Sequence, residues 1–151
     1  MKYAEKTSVS VSKSKAEIEK TLTRYGAEQF ISGWDQQKAF IGFHMNGRGV
    51  KFLVPLPLKS NEEFRMTPSG RRERHPEEAL KAWEQACRQR WRALALVIKA
   101  KLEAVETGIT DFEDEFLAHI VLPDGSTCGE YLKPQLIQAY ERKTMPKLLP
   151  W

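Results

Sequence analysis

Three histidines, two cysteines and a crowded run of carboxylates are the side chains of this 151-residue sequence best suited to chemistry beyond packing. His44, His75 and His119 share no metal-ligand spacing, and none stands in a Glu-x-x-His or related arrangement. Cys87 falls among apolar helical positions and Cys128 follows a turn, with no Cys-x-x-Cys pattern, so both read as buried free thiols. Asp111, Glu113, Asp114 and Glu115 are close enough in sequence to suggest general-acid or metal chemistry. They also open a helix, however, where the helix dipole favours acids, and capping accounts for them better. There is no Gly-x-Ser-x-Gly elbow and no glycine-rich phosphate loop. The expectation is a non-enzymatic protein that uses neither metal nor cofactor.

Positive charge is the stronger signal. Between Arg65 and Lys101 ten basic residues stand against four acidic ones, a balance of +6, whereas the whole chain is +4, so everything outside this segment sums to −2. Arg71, Arg72 and Arg74 lie in a loop, and Arg88, Arg92 and Lys99 follow on one side of a helix. A local positive field of this kind suits an anionic partner, and these six residues are the expected phosphate contacts. The bland alternative is a solvated helix face beside a flexible loop.

The elements that must position these residues are legible from periodicity. Residues 7–14 alternate Val9 and Val11 with serines, as in an edge strand or a mobile arm over residues 1–13. Ser14 with Glu17 reads as a capping box for a helix from Lys15 to about Arg24, ended by Gly26. Strand-like runs follow over 28–34, 38–45 and 48–54. Asn46-Gly47 between the last two predicts a type I′ hairpin, which pairs Met45 with Arg48, Phe43 with Val50, Ile41 with Phe52 and Ala39 with Val54. That register puts Ile41, Phe43, Met45, Val50, Phe52 and Val54 on a core face. Phe40 and Lys51 fall on the other face, where an aromatic ring beside a cation resembles a stacking platform for a single strand. Covering of that face, by the first helix or by another subunit, is the competing expectation.

A polar stretch over 59–75 is long for a loop, which points to function or disorder. Pro76 then opens a helix to about Thr107, with Leu80, Trp83, Cys87, Trp91, Leu94, Ile98, Leu102 and Val105 forming one apolar stripe about 45 Å long. Thr110 with Glu113 reads as a second capping box. Pro123-Asp124-Gly125 is a turn between short extended runs, and a last helix spans about 129–142. The apolar tail Leu148-Leu149-Pro150-Trp151 is expected to dock on the chain's own core, with anchoring of a partner protein as the alternative. The fold expected is α+β, a three- to four-stranded antiparallel sheet packed on one long helix with shorter helices at both ends, in a single domain. No apolar run reaches the length of a membrane span and no secretory signal is evident, so a cytosolic location and no membrane partner are expected.

The stretches WEQACRQRWRALALVIKAKLEAVETGIT, FLAHIVLPDGSTCGEYL and MPKLLPW, with YGAEQF and the NGR hairpin, resemble a family of small uncharacterised proteins of tailed bacteriophages and prophage-like elements. That resemblance implies a setting in the host cytosol and transfers no activity. Within the setting it implies DNA binding in replication or recombination, or the disabling of a host factor. The order of helix, three-stranded meander and long helix is also loosely similar to single-strand annealing proteins, in topology alone. Single-stranded DNA is the expected partner, since no helix-turn-helix or zinc module is visible. A host protein blocked at an acidic or nucleic-acid-binding surface is the alternative, and a homo-oligomer is compatible with either.

Overall fold

In the computed structural model, which describes residues 4–35 and 38–145, the chain on either side of Asn46-Gly47 folds as the expected hairpin. Both turn residues have positive φ, 52° and 72°, the requirement that favours Asn-Gly there. Strand β2 (Lys38–Met45) pairs with β3 (Arg48–Pro55) in the predicted register, from Met45 opposite Arg48 to Ala39 opposite Val54. Strand β1 (Gln29–Trp34) completes an antiparallel sheet in the order β1-β2-β3. No fourth strand forms among the described residues, but isolated bridges between Val50 and Ile120 and between Val121 and Thr127 cover part of the outer edge of β3.

All six predicted core-face residues of the hairpin are buried. Their counterpart is Phe116, fully enclosed, whose ring stands edge-on to Phe43 and Phe52 at 5.9 and 6.3 Å and lies 4.9 Å from Phe112. These are the offset geometries that aromatic quadrupoles prefer. His119 stacks on Phe52 at 3.9 Å, and burial pushes its imidazole below the ordinary range.

The N-terminal expectations need correction. Helix α1 (Val11–Arg24) begins four residues before the expected start, and Ser10 is its cap, accepting the Lys13 amide at 3.1 Å. Ser14 is instead buried in the helix, while Ile18 and Leu22 enter the core. Residues 4–10, before the helix, form neither strand nor free arm. Ala4 is buried, and Gln85 donates to the carbonyls of Glu5 and Thr7 at 3.2 and 2.8 Å, tying the segment to the long helix. The 59–75 stretch is likewise folded: a short helix α2 (Glu62–Arg65) buries Phe64, and Met66 bridges to Glu73.

Helix α3 (Pro76–Glu106) has the predicted extent, with proline in its first turn. Its stripe buries Cys87, Trp91, Ile98 and Leu102, but Leu80 at its start is exposed. Asp111, not Thr110, caps the five-residue α4 (Phe112–Phe116), accepting the Asp114 amide at 2.8 Å, because the chain enters the helix one residue later than the sequence pattern suggests. A 3-10 turn (Leu117–His119) and the Asp124-Gly125 turn lead to α5 (Cys128–Arg142), started by a capping box between Thr127 and Glu130 that the pattern search missed. Pro134 lies within α5 and has no N–H to return to the Glu130 carbonyl. Helix α5 does not pack around the end of α3. No residue of it is buried, and only its first turn rests on the body, at the 3-10 turn. The Leu148–Trp151 tail lies outside the described residues. No described helix is long and apolar enough to cross a membrane.

Phe116 tests this core. Replacing it by alanine removes a fully buried ring from three aromatic contacts, and the expected loss is about 3–5 kcal/mol in urea unfolding. A loss below about 1 kcal/mol would mean that the sheet and α4 do not share one core.

Candidate nucleic-acid interface

The six predicted phosphate contacts do not form one open ridge, because α1 and the segment before it lie along the arginine-bearing side of α3. Arg92 forms an ion pair with Glu17 of α1, with a second contact from its other terminal nitrogen at 3.4 Å. The Arg92 hydrogen bond holds the Glu17 carboxyl below its ordinary range, with help from the charges of Arg92, Lys99 and Lys13. Arg88 is half-buried and folds onto its own helix, giving its Nε and one terminal nitrogen to Gln85 Oε1 at 2.9 and 2.6 Å. Lys99 is exposed on the α1 side.

The loop arginines divide in the same way. Arg74 donates to the carbonyls of Glu63 and Phe64 at 2.9 and 3.2 Å, which closes α2 onto the start of α3. Arg72 approaches Glu78 at 3.8 Å, and Arg65 pairs with Glu73 at 2.9 Å. Arg71 is exposed at the tip. Structural work therefore occupies Arg74 and Arg92, and leaves Arg71, Lys99 and part of Arg88 to face an anion.

Phe40 and Lys51 lie on the outer face of the sheet, one rung apart. The Phe40 ring spreads over Gly33 of β1, where an added Cβ would come within 2.4 Å of it, so the glycine makes room for the ring. Lys51 reaches the Gly125 carbonyl at 3.4 Å. Helix α1 does not cover this face, contrary to one expectation, and Ile31 and Leu53 on it are exposed.

A different set of residues converges more closely. Positions 83, 87 and 91 fall four apart on one side of α3, so Trp83, Cys87 and Trp91 share one wall of a groove. Pro55 and Pro57 end β3 and carry the chain across α3, where the Pro57 carbonyl accepts the Trp83 indole N–H at 2.6 Å. On the opposite side β1 ends in Trp34, paired with Ala39 and 74% exposed. The groove between them holds about 360 Å³ and is also lined by Lys15, Glu84 and Arg88. Two ammonium groups cap its indoles: Lys15 Nζ lies 4.7 Å from the Trp91 ring centre and Lys59 Nζ lies 4.5 Å from that of Trp83. Each such contact contributes about 0.5–1 kcal/mol at an exposed site. Burial raises the Cys87 thiol above its ordinary range and keeps it protonated, against the opposing pull of Arg90, Lys59 and Arg88.

Sequence reasoning placed Trp83 and Trp91 in the core stripe and did not use Trp34, Lys15 or Lys59. The spacing of Lys15 from Val11 by one helical turn was a usable signal only once the start of α1 was known. Among the described residues no group of three His, Cys, Asp or Glu side chains is placed to hold a metal.

The Glu17–Arg92 pair makes a pH prediction. A carboxyl depressed on folding stabilises the protein above its unfolded value, about 4.3, and that stabilisation is lost as pH falls through the folded value. Glu17→Gln is therefore expected to lower the denaturation midpoint at pH 7 and to converge with the native protein near pH 3. Equal midpoints at both pH values would show that the pair contributes nothing.

Comparison with protein-family profiles, with curated proteins and with solved structures yields no match to this chain.

Proposed function

We propose that the protein binds single-stranded nucleic acid, DNA above all, in the groove between Trp34 and the Trp83/Trp91 wall of α3, without catalysing a reaction. The observation that carries this reading is the meeting of the Trp34 and Trp83 indoles with Lys15 in one groove, with the buried Trp91 in its wall and Lys59 over the Trp83 ring. Indole faces accept any base by stacking, and cations beside them accept the phosphates that connect those bases. Among the described residues Lys15 and Lys59 lie over their rings without a carboxylate partner, so each can pass to a phosphate without breaking an ion pair. Arg88 adds a guanidinium held by a neutral amide, and Lys99 and Arg71 extend the positive surface. Phe40 and Lys51 form a second, smaller platform on the sheet.

Within this proposal the resemblance to phage and prophage proteins supplies the setting, replication or recombination of DNA in the host cytosol. The groove replaces the arginine side of α3 as the centre of the site, because α1 covers much of that side.

Anisotropy of a labelled oligothymidylate at low salt tests the reading. Binding is expected to weaken steeply with salt, by about 0.7 in log slope for each phosphate neutralised on a single strand. Trp34→Ala should cost about tenfold, the order expected for one stacked base. Joint replacement of Lys15 and Lys59 by alanine should weaken binding and flatten the salt slope, whereas Arg24→Ala at the far end of α1 should change neither. Absence of binding to single and double strands at low salt would overturn the proposal and favour an acidic protein surface as the partner.

A further inference from the structure

Helix α5 is built as though part of its packing were supplied from outside. Leu132, Leu136, Ile137 and Tyr140 are 38, 57, 57 and 79% exposed. Contact with the body is confined to the first turn, where Gly129 lies so close to Ala118 that an added Cβ would stand 2.9 Å from the Ala118 carbonyl oxygen. A helix of 15 residues is marginal in water unless it buries an apolar face. Leu132, Leu136, Ala139 and Tyr140 instead line an open groove of about 620 Å³. Lys143 takes the left-handed conformation, φ 52°, and ends the helix so that Met145 flanks the same groove.

We propose that α5 is a two-fold interface between two copies of this chain, packed antiparallel and centred on Leu136. In that arrangement Leu136 meets Leu136, and Leu132 meets Tyr140 of the second copy. Gln135 lies beside Gln135 across the axis on one rim. On the opposite rim Ile137 meets Ile137, and Lys133 lies within a helical turn of Glu141 of the second copy.

The complement of each feature is thus found on the same helix, which is the signature of an isologous contact. Two acids, Glu130 and Glu141, balance Lys133 and Arg142 along α5, so two copies of a +4 chain meet there without concentrating like charge. Helices about 22 Å long bury less than the roughly 1,200 Å² at which stable specific interfaces begin, so the dimer is a weak, reversible one. This inference is independent of nucleic-acid binding.

Sedimentation equilibrium of the full chain, from low to several hundred micromolar, is the test. A monomer–dimer equilibrium is expected, weakened at least about tenfold by Leu136→Lys with unchanged circular dichroism, since the side chain is exposed. Orientation is read by oxidation in a Cys128→Ser background. Leu136→Cys should link to itself, and Leu132→Cys should link to Tyr140→Cys in a mixture but not to itself. A monomer throughout the range overturns the proposal, as does a dimer that Leu136→Lys leaves intact or self-linking of Leu132→Cys.

Discussion

The register of one hairpin is the constraint on which the rest of this structure depends. With Asn46 and Gly47 at the turn, Ile41, Phe43, Met45, Val50, Phe52 and Val54 share a face, and a slip of one residue would send all six to solvent. Phe116 has its seat only because Phe43 and Phe52 stand on adjacent strands at the right separation. Strand β2 carries this frame to its other neighbour: its separate pairing with β1 sets Ala39 opposite Trp34 at the mouth of the tryptophan groove, and Phe40 opposite Gly33 on the outer face. Core, groove and outer platform thus meet on the one strand that both pairings share.

Charge is arranged around that frame in two ways. Along α3, cations are tied to protein acceptors: Arg92 to Glu17 of α1, Arg88 to Gln85, and Lys101 to Glu115 at 3.2 Å on α4. At the groove, Lys15 and Lys59 lie over the ring faces of Trp91 and Trp83. A carboxylate partner competes strongly with an incoming anion, whereas a ring face competes weakly. The excess of arginine in the sequence and the cations best placed to act are therefore different residues.

Local signals in the sequence were sufficient for the sheet and for α3. A period of two, an Asn-Gly turn and an apolar residue every three or four positions are all properties of neighbours in the chain. The start of α1 was harder, because Ser10 and Ser14 both have the side chain of a cap and tertiary burial of Ser14 settles between them. Covering of the arginine side of α3 was written only faintly, in Ala93 and Leu96 between Arg92 and Lys99, both half-buried. The groove was illegible for a different reason. Trp34, Lys15, Lys59 and Trp83 come from four separate segments, and no periodicity within one segment reports on a meeting between segments.

Pro134 carries a consequence for mechanics. By leaving the Glu130 carbonyl without its helical donor, it removes one rung between the turn of α5 seated on Ala118 and the turns that bear Leu136 and Tyr140. Stiffness along α5 is therefore uneven: an anchored base, a compliant joint and a regular outer half. The outer half can change its angle to the body without disturbing the core, as a lever turns on a pivot.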